Sequence, residues 1–141
     1  RKGATGGLEW LVPFEKALEV ADVVSLHCPL SEETGNLIGH SELTAMKPNA
    51  ILINAGRGGL VDEFALIDAL KSLQISGAGM DVFTEEPADE SNPLIANMHL
   101  PNLLLTPHVA WGSDSAITRL CEILIENIES YVAGDLNNRV A

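Results

Sequence analysis

The chain has 141 residues, of which 46% are hydrophobic, so its length and composition fit one domain with a buried core. Its formal net charge of -12 argues against nucleic acid or an anionic membrane surface as a partner, because binding of phosphates requires a surplus of Lys and Arg. No apolar stretch reaches the roughly 20 residues that span a bilayer, and no signal peptide is recognisable, so we expect a cytoplasmic protein.

The first half of the chain alternates between helical and strand-like patterns. Compact apolar runs predict buried parallel strands, because both faces of such strands are covered. The predicted elements are a helix over Phe14–Val20, a strand over Asp22–Cys28 stopped by Pro29, a polar turn over Ser31–Gly35, a helix over Ser41–Met46 and a strand over Ala50–Asn54.

The second half continues the alternation after a glycine-rich loop at residues 56–59. Asp62 is predicted to cap a helix, because an Asp side chain accepts hydrogen bonds from the first backbone N–H groups. The apolar face of that helix is predicted to comprise Leu66, Ile67, Leu70 and Leu73. The later predicted elements are a strand over Ile75–Val82, a polar loop over Thr84–Pro101, a strand over Leu103–Leu105, and a long helix capped by Ser113 or Asp114 that ends at Gly134.

Strands that alternate with helices predict an α/β fold with a doubly wound parallel sheet, in which ligands bind at the carboxyl ends of the strands. Four chemically distinctive residues, Pro29, Arg57, Glu86 and His108, each follow a predicted strand. We therefore expect loops that are distant in sequence to converge on one crevice.

The two cysteines, Cys28 and Cys121, lie in apolar runs, which favours buried reduced thiols over a disulfide. Neither belongs to a CxxC pair. The histidines outside the crevice lack the spacing of metal ligands, so no metal site is predicted; they are His27, His40 and His99.

Four sequence blocks in this order resemble the D-2-hydroxyacid dehydrogenase family: HCPLSEETGNLIG, INAGRGGLVDE, MDVFTEEP and LLTPHVAW. The resemblance extends from about Ala21 to Ser130 and is greatest to the glycerate dehydrogenase (hydroxypyruvate reductase) branch. It implies a Rossmann-like fold, with residues 1–112 as the C-terminal part of an NAD(P)-binding domain. It also implies that residues 113–141 form a C-terminal helix that in relatives packs toward a separate substrate domain.

His108 matches the acid/base of the family. Thr106 precedes Pro107, so its backbone is pushed to an extended conformation, which places the imidazole at the end of the strand. A protonated His108 would donate to the substrate carbonyl oxygen during reduction of a 2-keto acid. The alternative is a histidine at the edge of the core that hydrogen-bonds to the backbone.

Glu86 matches the carboxylate that pairs with this histidine in the family. A carboxylate next to an imidazole favours the charged ring and fixes its orientation. A solvated acidic loop is the alternative, because Glu85 is adjacent and Asp89 and Glu90 follow.

Arg57 matches the arginine that orients the substrate. Its planar guanidinium suits a carboxylate and a neighbouring carbonyl oxygen, and the flanking glycines allow the backbone to approach a ligand closely. An exposed arginine in a turn is the alternative.

The resemblance also implies a nicotinamide cofactor, NAD with NADP as the alternative, and no metal. Asp81 matches the family position near the nicotinamide carboxamide, and Ala55 and Gly56 bring backbone to the same ring. Cys28 and Pro29 match the strand end beside the adenosine half, although a strand simply stopped by proline explains Pro29 equally well. The full set of predicted cofactor contacts is Cys28, Pro29, Asn54, Ala55, Gly56, Arg57, Asp81, His108 and Gly112.

The glycine-rich phosphate loop and the ribose-binding acid of such domains do not occur in the sequence, and we expect both to precede Arg1. The chain begins with Arg1 rather than Met, so we interpret it as truncated at its N-terminus and inactive alone. Arg1 and Lys2 would meet a 2′-phosphate or form a solvated turn. Trp111 is either a packing residue or a wall of the substrate pocket.

The expected activity is hydride transfer between the cofactor and a D-2-hydroxy acid or 2-keto acid, with glycerate, hydroxypyruvate and glyoxylate as the favoured substrates. The enzyme alternatives are 3-phosphoglycerate dehydrogenase and reductases of other 2-keto acids. The family also includes NAD(H)-responsive corepressors, which is the non-enzyme alternative, and a purely structural domain would require Arg57, Glu86 and His108 to lie far apart. The resemblance further implies a homodimer of the full-length protein.

Overall fold

A computed structural model describes residues 11–135 and 138 of the chain. The chain forms two compact units, with the boundary between His108 and Val109. Within the described ranges, no helix combines the length and apolar character that a membrane span requires.

A four-stranded parallel sheet lies in the first unit. Its strands are β1 (Val23–Leu26), β2 (Ile51–Asn54), β3 (Gly77–Met80) and β4 (Leu103–Leu105), and they lie side by side in chain order. The last residues of the four strands, Leu26, Asn54, Met80 and Leu105, are register partners across the sheet. The loops that carry the candidate site residues therefore leave the sheet at one edge, as the Rossmann-like fold requires.

Four helices accompany these strands, namely α1 (Phe14–Val20), α2 (His40–Ala45), α3 (Glu63–Lys71) and α4 (Pro93–Ala96). Each helix contacts the next one in chain order. The core between helices and sheet contains fully buried aliphatic side chains such as Leu52 on β2, Leu66 and Leu70 on α3, and Leu94 on α4. Each of these contributes about 1.5–3 kcal/mol to the stability of the fold by leaving water.

Helix α3 begins as predicted, because the Asp62 side chain accepts hydrogen bonds from the backbone N–H groups of Phe64 and Ala65. The prediction that Leu73 continues its apolar face is wrong. The helix ends at Lys71, and Leu73 has a φ of 56° and is 71% exposed. The backbone turns there to enter β3, so the helical spacing no longer applies.

The predicted loop over Thr84–Pro101 contains the short helix α4, so its assignment as an uninterrupted loop is wrong. Asn92 caps α4 by accepting from the N–H groups of Leu94 and Ile95, and Pro93 occupies the first turn. Both are favourable starts for a helix, but a single turn is too short to produce an apolar period.

The second unit contains α5 (Asp114–Ala133), which Ser113 caps through the N–H of Ala116. Gly134 ends the helix in the left-handed conformation with a φ of 82°, as glycine does at many helix ends. None of the residues of α5 is buried.

The thiol prediction was correct in part. Both cysteines are free, but Cys28 is only partly buried and Cys121 is exposed on α5. At Cys121 an apolar neighbourhood in sequence did not produce burial, because the apolar stripe of α5 is itself solvent-accessible.

Candidate active site

One pocket brings together the three predicted catalytic residues. Arg57, Glu86 and His108 line a pocket of about 220 Å³, which also includes Gly58, Phe83 and Thr84. These residues come from the loops that follow β2, β3 and β4. The three side chains therefore do not lie far apart, as the structural-domain alternative would require.

His108 and Glu86 form a direct contact in this pocket. The Nδ1 atom of His108 lies 2.7 Å from Oε2 of Glu86, and both side chains are partly exposed to solvent. The carboxylate therefore fixes the orientation of the ring.

The other oxygen of Glu86 is also engaged. Oε1 accepts a hydrogen bond of 3.0 Å from the backbone N–H of Phe83. This bond is the largest cause of a lowered pKa for Glu86, and the hydrogen bond with His108 acts in the same direction, whereas slight burial and the charge of Asp81 raise the pKa. Glu86 is thus held as an ionised partner for the imidazole.

The backbone of His108 adopts a conformation that is uncommon outside glycine, with a φ of 55°. It follows Pro107 at the end of β4. Such backbone strain persists only where the surroundings hold it, and it occurs frequently at active sites. The turn directs the His108 side chain toward Glu86.

Arg57 is exposed, and hydrogen bonds from the buried side chain of Asn54 fix the backbone of its loop. Asn54 is 1% exposed, its Nδ2 donates to the carbonyl oxygen of Arg57 at 3.0 Å, and its Oδ1 accepts from the N–H of Gly56 at 3.1 Å. The guanidinium Nη1 donates to the carbonyl oxygen of Gly56 at 2.8 Å. The Asn54 side chain, a predicted cofactor contact, is thus engaged in shaping the arginine loop.

Gly58 allows the loop after β2 to lie against the loop after β3. A Cβ atom at this position would come within 1.7 Å of the carbonyl oxygen of Phe83 and 2.8 Å of the nitrogen of Thr84. Only glycine permits that approach. The loops that carry Arg57 and Glu86 are therefore in direct backbone contact.

The predicted nicotinamide contacts Asp81 and Gly56 directly follow strands β3 and β2 or lie within two residues of their ends. Asp81 is 5% exposed, and its Oδ1 accepts a hydrogen bond of 2.5 Å from the hydroxyl of Thr106. At Gly56 a Cβ atom would lie 3.3 Å from the carbonyl oxygen of Leu26, so this backbone passes close to the end of β1. A buried carboxylate and closely spaced backbone groups at one sheet edge are suited to bind a polar planar ring.

The remaining predicted cofactor contacts lie in two places. Cys28 and Pro29 follow β1 and line a separate cavity of about 450 Å³ that also includes Phe14 and Leu37. Gly112 belongs to the second unit, where its N–H donates to the carbonyl oxygen of Val109 at 2.9 Å. The cofactor roles of these residues stay predictions.

The structure adds site residues that the sequence did not indicate. The backbone N–H of Phe83 donates a hydrogen bond to Glu86, and the hydroxyl of Thr106 donates one to Asp81. In the loop after β3, Asn92 donates a hydrogen bond of 2.8 Å to Glu63. Glu63 directly follows the Asp62 cap, and a glutamate in the first turn of a helix is normally solvated, so only its burial in the structure distinguishes it. In the described part of the chain, no group of three or more His, Cys, Asp or Glu side chains is placed to hold a metal ion.

Residues 4–110 match the family model of the D-isomer specific 2-hydroxyacid dehydrogenase, NAD binding domain. Among relatives, the chain is 49% identical over 130 residues to a glycerate dehydrogenase of Methylorubrum extorquens, covering 92% of this chain and 41% of that protein. It is 45% identical over 130 residues to a glyoxylate reductase of Korarchaeum cryptofilum, covering 92% of this chain and 38% of that protein.

Among solved structures, the chain resembles D-lactate dehydrogenase with NAD+ from Lactobacillus jensenii, with a TM-score of 0.81 and 33% identity over 92% of this chain and 42% of that one. The chain thus spans about two fifths of the length of the relatives that it matches. The chain belongs to the D-isomer specific 2-hydroxyacid dehydrogenase family and matches the NAD-binding domain of that family.

Proposed function

We propose that the full-length gene product is a dehydrogenase that transfers a hydride between a nicotinamide cofactor and a D-2-hydroxy acid or 2-keto acid. The observation that carries this proposal is the pocket in which Arg57, Glu86 and His108 meet, with Glu86 in contact with the His108 ring. The pocket supplies a cation for a substrate carboxylate and an acid/base for its carbonyl or hydroxyl group.

Arg57 binds and orients the substrate in this proposal. Its guanidinium presents several donors in one plane, which suits the carboxylate of a 2-keto acid and the adjacent carbonyl oxygen. Asn54 holds the backbone of the arginine loop, so the guanidinium is placed before the substrate arrives. Preorganisation of this kind lowers the barrier by aligning the reacting carbon.

His108 moves the proton. Its Nδ1 is engaged by Glu86, so we assign proton transfer to Nε2, the other ring nitrogen. In reduction, Nε2 gives its proton to the carbonyl oxygen, and in oxidation it takes the proton from the hydroxyl group. Glu86 holds the ring at Nδ1 in both directions, and the lowered pKa of Glu86 keeps its carboxylate ionised.

A nicotinamide supplies or accepts the hydride when it is bound. Ala55, Gly56 and Asp81, at the ends of β2 and β3, are the residues that we propose to hold its ring. NAD is the proposed form, in agreement with the family description, and NADP is the alternative. Arg1 and Lys2, which the sequence linked to that choice, lie outside the described residues.

Hydroxypyruvate and glyoxylate are the proposed substrates of the reductive direction. The names of the two relatives, a glycerate dehydrogenase and a glyoxylate reductase, support this choice. Reduction of 3-phosphohydroxypyruvate or another 2-keto acid is the alternative.

We further propose that residues 1–112 are the C-terminal part of the NAD(P)-binding domain, whereas residues 113–141 form a C-terminal helix that packs toward a separate substrate domain. Two free cysteines support a reducing, cytoplasmic setting.

A homodimer is proposed from the family resemblance. Size-exclusion chromatography with light scattering on the full-length protein tests that assembly directly.

The experiment that tests the function follows oxidation of NADH and NADPH by the full-length gene product. The substrates are hydroxypyruvate, glyoxylate and 3-phosphohydroxypyruvate, beside a His108→Ala variant. We expect turnover with NADH on hydroxypyruvate and a loss of roughly 10²-fold or more in the variant. Cofactor binding without turnover on any of the acids would contradict the enzyme proposal and favour an NAD(H)-responsive binding protein.

A further inference from the structure

Glu63 is a buried carboxylate outside the catalytic pocket. It is the first residue of α3, its side chain is 6% exposed, and it does not line the pocket of Arg57, Glu86 and His108. A buried charge is costly unless hydrogen bonds satisfy it. The positive end of the helix dipole at the start of α3 also favours a negative charge there.

Both oxygens of Glu63 accept hydrogen bonds from the loop that follows β3. Oε1 accepts from the backbone N–H of Thr84 at 2.8 Å, and Oε2 accepts from Nδ2 of Asn92 at 2.8 Å. One carboxylate thus ties two positions of the segment 84–92 to the start of α3. Asn92 uses its other atom, Oδ1, to cap α4, so its orientation is fixed as well.

The segment that Glu63 holds carries Glu86. The Phe83 N–H donates to Glu86, and the next N–H along the chain, that of Thr84, donates to Glu63. On its other side, the Phe83–Thr84 peptide is approached by the backbone of Gly58. This peptide is therefore held between the arginine loop and α3, and its position determines where the Glu86 carboxylate meets His108.

We propose that Glu63 is a positioning residue. It sets the contact between Glu86 and His108 because it fixes the loop after β3 at two positions, Thr84 and Asn92. The inference rests on the proposed function for its effect on turnover. Glu63 touches neither substrate nor cofactor in this scheme. It acts through the Phe83–Thr84 peptide and through Asn92.

The hydrogen bond between Asn92 and Glu63 can be tested by exchanging its donor and its acceptor. Glu63→Gln replaces one acceptor by an NH2 group that faces the Asn92 donor, so the contact at Asn92 is lost. Asn92→Asp places two carboxylates against each other, which is also unfavourable. In the double variant, the new amide at position 63 donates to the new carboxylate at position 92, which still caps α4, so the contact is restored with reversed polarity.

The expected result in the full-length protein is a fall in kcat of about tenfold in each single variant, because a small displacement of a catalytic group slows the reaction strongly. The Kd for NADH should stay within about twofold of the wild-type value, and the double variant should recover most of kcat. If Glu63→Gln fails to fold, Asn92→Ser provides the same test, because serine caps α4 but does not provide the amide donor.

A matched control separates positioning from stability. Ile67→Val removes one methyl group from the buried side of α3, so it lowers Tm but leaves the loop after β3 untouched. We expect unchanged kcat in this variant. Hydrogen exchange of peptides that cover residues 83–92 should be faster in both single variants and return toward wild type in the double variant.

The outcomes distinguish the inference from the proposed function. If the wild type turns over a keto acid and His108→Ala does not, unchanged kcat in Glu63→Gln overturns the positioning role alone. Failure of the double variant to recover kcat also overturns it. If the wild type has no turnover, the proposed function fails, and hydrogen exchange decides the inference: restored protection in the double variant supports it, and unchanged exchange in the single variants overturns it.

Discussion

Oε2 of Glu86 lies 2.7 Å from Nδ1 of His108, although the two residues are 22 positions apart and follow different strands. The contact exists because β3 and β4 are neighbours in register and end at the same edge of the sheet. The parallel sheet therefore assembles an acid/base pair from two loops. The pair shares its pocket with Arg57, which follows β2.

Replacement of Gly58 by Ala should disrupt the contact between two of these loops. The new Cβ would lie 1.7 Å from the carbonyl oxygen of Phe83, so the backbone must move. We expect a loss of about 1–3 kcal/mol in the free energy of unfolding, measured by urea denaturation, together with a fall in kcat.

The matched control for this change is Gly35→Ala, because the Cβ there meets the Ser31 carbonyl oxygen at an ordinary 3.6 Å. Equal stability changes in the two variants would contradict the close approach at Gly58.

Replacement of Arg57 by Lys should weaken substrate binding. The ammonium keeps the charge but not the planar set of donors, so a bidentate contact with a carboxylate is lost. We expect kcat/KM for hydroxypyruvate to fall roughly 10- to 100-fold, as for loss of one charged hydrogen bond. Steady-state kinetics with hydroxypyruvate varied at saturating NADH measure this effect.

Arg119→Lys is the control for Arg57→Lys, because Arg119 pairs with Glu122 and Glu126 on the exposed surface of α5. A kinetic effect of equal size in both variants would argue against a substrate contact at Arg57.

Replacement of Asn54 by Asp tests the support beneath Arg57. The change removes the Nδ2 donor and places a carboxylate oxygen against the Arg57 carbonyl oxygen in a buried position. We expect a loss of stability of about 3–5 kcal/mol at neutral pH, since a buried charge without a partner is strongly unfavourable. Thermal unfolding measures this loss, and acidification should reduce it as the introduced carboxylate takes up a proton.

Asn49→Asp, at an exposed position, is the control for Asn54→Asp. A similarly small effect at both sites would show that the buried amide does not support the loop.

The stability of the wild type should depend on pH through Glu86. Its pKa in the folded protein is below the ordinary value of 4.5, chiefly because of the Phe83 N–H. The stabilising contribution of its charge is therefore complete above the ordinary pKa and is lost as the pH falls through the lowered pKa.

We expect the difference in free energy of unfolding between the wild type and Glu86→Gln to shrink as the pH falls from about 5.5 to about 3. Urea denaturation over this range measures it. A constant difference would contradict the lowered pKa of Glu86.

The order and type of most elements followed from the sequence because each has a strong local signal. The β-branched and apolar runs marked the strands, and Asp62, Ser113 and Gly134 marked helix ends through their own hydrogen bonds or conformation. α4 escaped prediction because one turn has no period, and the end of α3 was placed too late because the backbone reversal at Leu73 has no sequence signal.

The meeting of Arg57, Glu86 and His108 was predictable because they follow successive strands of a parallel sheet. The groups that hold them were not. The hydrogen bonds of Glu63 with Thr84 and Asn92 join residues 21 and 29 positions apart, and such long-range contacts depend on the packed fold. The same applies to Asp81 and Thr106, 25 positions apart.

The most direct test of the central claim is the kcat of His108→Asn in the full-length protein. Asparagine tolerates the left-handed backbone that His108 adopts, with its φ of 55°, so the variant removes the acid/base with little change in the turn. We predict that kcat on the favoured keto acid, measured at saturating NADH, falls by about 10²-fold or more. A kcat close to that of the wild type would contradict the role of His108 as the proton donor.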